Sequence, residues 1–429
     1  MGPDQHMPFE DMRTFYRPRV VDDLISKELS AFGGILITGP RSCGKSWTGF
    51  NHSRSATFMG YGNASELASL DPQSALEGEF PHLVDEWQDV PKLWGHARRN
   101  IDMGRRKGMY IFTGSSAPPL EKIQHTGIGR FATVEMRTMS LFESGNSSGA
   151  ARLSGLFDTG KTETFRSDIN YRKIVEQICR GGWPGALDLD NETAMRIPYQ
   201  YMKSIINMDM SRIDGKRRSR TTVETVLKSL ARNNATLAGY SKLAEDIRNS
   251  GTTLSEPTLR SYLDVLKKLY IIEEQGAWHP SLRSKIRIRT APKRHFTDPS
   301  LAAAVLGAGP DILNGDTKTA GFLFESLCYR DMSVYASALG GRVYHYRDNS
   351  ELEVDQIIQL EDGRWGAAEV KMGTSDFDKA AANLIRLKEK MIEAKVREPS
   401  FLMILNVTGV AAHTRSDGIV EMPIDCIGP

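Results

Sequence analysis

The sequence predicts a multidomain α/β chain, and three patterns carry that expectation. A short apolar run, Ile35 to Ile37, feeds directly into the glycine-rich stretch GPRSCGKS. Between Tyr240 and Trp278, two amphipathic stretches of helical period meet at a serine–glycine break and lead into the strand-like run YIIEE. From Thr319 onward the periodicity changes in the order helix, three strands, helix, strand. At 429 residues the chain exceeds one ordinary core, so two to four domains are expected.

Composition sets the environment. With 40% apolar and 25% charged residues, the chain has the balance of a soluble globular protein. Its net charge of +2 means that any basic surface must be local. Cys43, Cys179, Cys328 and Cys426 stand far apart and form no CxxC pair, which fits a reducing cytoplasm and argues against a zinc site. The opening MGPDQHMPFEDMRTFYRP carries acids and lacks the apolar core of a signal peptide. No run approaches the ~20 apolar residues of a membrane span. A soluble cytoplasmic protein with no membrane partner is expected.

The first element with chemistry follows the Ile35–Ile37 strand. Gly39, Pro40, Arg41, Ser42, Cys43, Gly44, Lys45 and Ser46 match GxxxxGK[ST], whose glycines let a loop wrap closely enough for its backbone N–H groups to face phosphates. Lys45 would reach the β and γ oxygens of ATP, and Ser46 would ligate Mg2+. A second strand ends in Leu83, Val84, Asp85 and Glu86. An aspartate there serves the magnesium, directly or through water, and the next glutamate can polarise the attacking water. A third strand, Tyr110 to Phe112, ends in small polar residues Thr113 to Ser116, where a γ-phosphate sensor would sit. Arg130 follows Gly127-Ile128-Gly129; that flexible reach suits an arginine finger, and equally a surface arginine.

Taken together, YRPRVVDDL, ILITGPRSCGKS, HLVDEWQDVPKLW, YIFTGSSAP, GIGRFATVEMRTMSLFE, GGWPGAL and AEVKMG resemble a large family of prokaryotic ATPases over nearly the whole chain. Its members join an AAA+-like domain to a C-terminal domain of unknown function with a restriction-endonuclease-like sheet. The resemblance implies nucleotide roles for Lys45, Ser46, Asp85 and Glu86, a sensor role for Ser115 and a finger-like role for Arg130. A finger acting between subunits makes a homo-oligomer an expected partner.

Residues 1–145 are therefore expected to form the nucleotide core, and the Gly/Ser/Thr-rich stretch 146–170 a linker. Residues 171–215 turn helical around GGWPGAL, as a lid subdomain would. Residues 216–305 read as a winged-helix module: Ser255 caps a second helix that would offer Thr258, Arg260, Ser261 and Lys267 to DNA. Such modules serve equally as packing domains. Basic runs flank it, Arg212 to Arg220 and Arg283 to Arg294, and would track a phosphate backbone with marked salt sensitivity.

In residues 310–429, the αβββαβ order matches the common core of restriction-endonuclease-like folds. Glu325 on the first helix, Asp355 on the second strand, and Glu369 and Lys371 on the third then look like an E…D…ExK signature. There the acids Glu325, Asp355 and Glu369 bind a metal and the lysine steadies the nucleophilic water. The same residues can instead form a buried ion-pair cluster at the end of the sheet. The leading expectation is a Mg-dependent ATPase that binds DNA. The alternatives are an ATP-dependent metal nuclease and a nucleotide-controlled switch that binds a protein.

Overall fold

The computed structural model describes residues 13–114, 127–208, 215–280 and 291–429. They divide into two compact units, one up to Arg137 with Lys268–Tyr270, the other comprising Thr138–Lys267 and Ile271–Pro429.

The first unit is a sheet of five short strands: β1 (Gly34–Thr38), β2 (Ser55–Phe58), β3 (His82–Asp85), β4 (Tyr110–Thr113) and β5 (Phe131–Glu135). All pair in parallel in the order β2-β3-β4-β1-β5, so β4 is inserted between β3 and β1. Helix α1 (Asp22–Ala31) precedes the sheet, and α2 (Lys45–Asn51), α3 (Ala64–Leu70) and α4 (Lys92–Gly104) connect its strands. Parallel strands joined by helices are buried on both faces, which explains their near-continuous apolar runs. Alternation sorts them: Ile35, Ile37, Leu83 and Ile111 pack with Ile25 and Phe50, while Val84 and Phe112 join Trp87 and Trp94 on the other side.

The second unit opens with β6 (Ala151–Arg152) and β7 (Phe165–Arg166). The stretch 146–170, expected as a linker, is thus built into sheets: β6 pairs with β16 (Ile427–Gly428), and β7 with β14 (Ala411–Thr414). Between these two short strands runs the helix Leu153–Thr159, ended by Gly160 at φ +69°. Next come α5 (Tyr171–Arg180), capped by Asn170, and α6 (Asn191–Asn207), capped by Asp190. Between them Gly181 takes φ +74°, a conformation that ends the first helix.

Three helices follow, α7 (Arg220–Arg232), α8 (Tyr240–Asn249) and α9 (Glu256–Lys268), then the antiparallel pair β8 (Ile272–Gln275) and β9 (Lys293–Phe296). Helix α10 (Pro299–Leu306) packs on α5, α6 and α7. It is locked to α11 (Thr317–Ala338) by the buried Arg330, whose guanidinium lies 3.0 Å from Asp298 and 2.7 Å from Asp331.

The remainder has the order that periodicity implied. Helix α11 leads to β10 (Gly341–Arg347), β11 (Glu353–Leu360) and β12 (Trp365–Lys371), then α12 (Phe377–Glu393) and β13 (Leu402–Asn406). β10, β11 and β12 are antiparallel neighbours and β13 joins β12 in parallel. With β15 (Val420–Pro423), β14 and β7 the sheet reaches seven strands, in the order β10-β11-β12-β13-β15-β14-β7. Its core gathers Trp278, Val354, Ile357, Trp365, Leu384 and Ile404. Everything from Thr138 onward, apart from Lys268–Tyr270, clusters as this one unit.

Candidate functional site

The glycine-rich loop leaves the C-terminal end of β1. Gly39 has φ +142°, and a Cβ placed there would stand 2.1 Å from the Met136 carbonyl oxygen, so only glycine passes this point. Gly44, at φ +106°, turns the chain into α2. Lys45 is buried and its ammonium donates to the carbonyls of Gly39 (3.0 Å) and Pro40 (2.7 Å), which fold the loop around it. Ser46 lies beside Asp85 at the end of β3, near enough to pull down that carboxyl's pKa. Thr113, opposite Asp85 in the β3–β4 register, donates to that carboxylate. Burial raises the Asp85 pKa, and Thr113 and Ser46 only partly offset it. Glu86 takes φ +54°, a left-handed turn that breaks the strand immediately after Asp85. Its carboxylate accepts from the Gln88 amide.

Among the described residues, one expected residue, Arg130, is not brought to this loop. Ser115 lies outside the described residues. Arg130 immediately precedes β5, and its carbonyl accepts the Gly34 N–H at 3.1 Å. That is the start of β1, whereas the loop follows its end, about 16 Å away at 3.3 Å per residue. The Arg130 side chain is half exposed and pairs with Asp102 at 2.9 Å. One residue was missed: Arg19 is buried and donates to the carbonyls of Cys43 (2.8 Å) and Arg137 (2.9 Å), bracing the loop from behind. Its acceptors are backbone atoms, which leave no mark in sequence.

The second site lies at the end of β11 and β12. Glu325, Asp355, Glu369 and Lys371 do converge: Lys371 donates to Glu369 at 2.6 Å and to Asp355 at 3.4 Å. A residue not foreseen there dominates the centre. Lys293 of β9 places its ammonium 2.8 Å from Glu325, 3.1 Å from Glu353 and 3.1 Å from Asp355, with its side chain only 2% exposed. Burial alone would lower the Lys293 pKa, but these three carboxylates lift it well above the ordinary lysine value. Burial would raise Asp355, yet Lys293 and Lys371 hold it far below the carboxylate range. Glu325 goes the other way, pushed up to about 7 by burial and by Asp355 despite Lys293. Burial and Asp355 likewise raise Glu369. Glu353 also lies 3.8 Å from the Arg347 guanidinium, and burial with the Asp355 charge pushes Glu325 and Glu369 toward their protonated forms.

The side chains expected to face DNA are engaged within the unit. Thr258 and Ser255 hydroxyls share a hydrogen bond of 2.8 Å, and Arg260 pairs with Glu256 and covers the Tyr240 ring. Ser261 accepts from Arg218 at 2.7 Å, and Lys267 pairs with Asp264 and Glu274. Lys216, Arg217 and Arg220 are exposed, whereas Arg212 and Arg283 to Arg289 lie outside the described residues.

Residues 32–144 match the AAA domain family. The AAA match thus falls on the first unit and takes in its glycine-rich loop. Residues 171–312 and 320–427 match two families described as domains of unknown function, DUF8612 and DUF4143. Among curated proteins none matches the chain. Similar solved structures include the Walker-type ATPase PABY2304 of Pyrococcus abyssi, 18% identical over 69% of this chain and 97% of that one, at a TM-score of 0.42. DnaA of Aquifex aeolicus bound to AMPPCP is 12% identical over 62% and 93%, at 0.28. A RuvB variant of Thermotoga maritima is 14% identical over 67% and 94%, at 0.27.

The two sites differ in their fitness for a metal. In the AAA-like unit the donor set is a serine hydroxyl and a carboxylate side by side, hard oxygens of the kind magnesium takes. At the C-terminal centre the acids face ammonium groups. Among the described residues, no group of three or more His, Cys, Asp or Glu side chains stands close enough to hold a metal ion. No described helix is long and apolar enough to cross a membrane.

Proposed function

We propose that the chain is a magnesium-dependent ATP hydrolase working at the loop Gly39–Ser46. The observation that supports it most is Ser46 held against Asp85 beside the enclosed Lys45. Lys45 exchanges its loop carbonyls for the β and γ phosphate oxygens when ATP enters. Ser46 and Asp85 would hold the magnesium, which would supply charge neutralisation on the phosphates. Glu86, turned out of the strand by its left-handed backbone, orients and deprotonates the attacking water. Ser115 senses the γ-phosphate, and Arg130 serves the nucleotide of a second copy. Lys45→Ala is expected to lose ATP binding in a fluorescent-nucleotide titration. Glu86→Gln should keep binding and slow phosphate release about 10²- to 10⁴-fold. Hydrolysis at the parent rate by Glu86→Gln would remove that residue from the role.

For the second unit, the reading best supported is a restriction-endonuclease-like domain, because its αβββαβ order carries an acid on α11, an acid on β11 and ExK on β12. Its acids as arranged do not fit a metal, and no cleavage step is derived for them.

A further inference from the structure

We propose that Lys293 is a built-in cation that closes the C-terminal centre to divalent metal. The proposal rests on reading Glu325, Asp355 and Glu369 as a metal-type constellation. The ammonium donates to Glu325 and Asp355, and the Glu353 carboxylate completes its surroundings as an ion pair at 3.1 Å. The donated contacts, at 2.8 and 3.1 Å, have the lengths of N–H···O bonds. A magnesium in the same place would need oxygens at about 2.0–2.1 Å and six of them. The cradle is thus sized for ammonium, and a second cation cannot enter while the first is seated.

The lysine is positioned by design of the strand that carries it. Alternation puts Lys293 and His295 on one face of β9, toward successive residues of α11. His295 shares a 2.7 Å hydrogen bond with Ser326 while Lys293 takes Glu325. Gln275, opposite Lys293 in the β8–β9 register, shares a 3.0 Å hydrogen bond with His295. Its amide nitrogen donates to the carbonyls of Asp355 (2.8 Å) and Tyr344 (2.9 Å). β9 is therefore fastened to the same strand that presents Asp355. Moving β8 and β9 away from β10 and β11 would withdraw the lysine, so the module of α7, α8, α9, β8 and β9 is placed to control metal access.

The test is Mn2+ binding to the full chain without nucleotide, read by loss of the free-ion paramagnetic resonance signal. Asp355→Asn serves as the control that isolates this centre from the nucleotide site. Wild type should show no Asp355-dependent site. Lys293→Met, checked for folding by its circular dichroism, should gain one Mn2+ per chain, lost again in Lys293→Met/Asp355→Asn. An Asp355-dependent site in wild type would overturn the proposal whatever the variants do. A folded Lys293→Met that binds no Mn2+ would overturn it too. Should that variant not fold, Lys293→Gln with Glu353→Gln lowers the buried charge and is read in the same way. Adding supercoiled DNA to the manganese-loaded variant separates the two readings. Binding without scission removes the nuclease and leaves the built-in cation, whereas failure to bind removes the cation whether or not the fold is nuclease-like.

Discussion

His345 shows how far one buried side chain can set the pH response of the second unit. It is fully enclosed on β10, and burial, with Lys293 and Arg347 nearby, pushes its pKa down to about 4 against an opposing pull from Asp355. In the unfolded chain it titrates near 6.5. Its contribution to stability is thus complete above pH 6.5 and lost as the pH falls from there toward 4. Glu325, raised to about 7, acts in the opposite sense, its contribution being lost as the pH rises from about 4.5 to 7. A difference measurement separates them. Between pH 7 and pH 5, the unfolding free energy of His345→Gln should gain about 2 kcal/mol on that of wild type. Urea titrations at the two pH values read this directly, and an unchanged gap would clear His345.

At the scale of elements, the sheet of the second unit depends on strands drawn from both ends of its sequence. A fragment beginning at residue 310 retains α11 to β16 but lacks β6, β7, β9 and α10. It exposes the edges of β14 and β16 and leaves Glu325 and Asp355 without Lys293. We expect that fragment to lack a cooperative unfolding transition and residues 138–429 to show one; two equal transitions would refute this dependence. The same feature explains what was legible in the sequence. GPRSCGKS, the Asp85-Glu86 pair and the ExK run declared themselves because their parts are adjacent. Lys293 did not, since its partners Glu325 and Asp355 are 32 and 62 residues away. In the sequence it belongs to a basic run, and charge alone does not tell a solvated lysine from one enclosed by acids. The boundary at residues 146–170 was missed for a related reason. Two-residue strands carry no periodicity, and only their partners near the other end reveal them.

For the whole molecule, the position of Arg130 decides what an active ATPase must look like. Within one chain it lies at the start of β5, on the end of the sheet away from Lys45. If it serves a neighbour's nucleotide, hydrolysis per chain should rise with protein concentration. Mixing Arg130→Ala with Glu86→Gln should then restore activity that neither has alone, since one interface of the mixed assembly keeps both residues. A specific activity flat across a hundredfold dilution series would confine Arg130 to its pair with Asp102. The pairing of β6 with β16 bears on a different moment in the life of the chain, its synthesis. Ser147 hydrogen-bonds the carbonyl of Ile427, 280 residues later. On the ribosome, the first unit's sheet is complete once β5 has emerged and can acquire its shape early. The second unit must wait for β16 before β6 has a partner, so its sheet closes late and slowly, as long loop closures do.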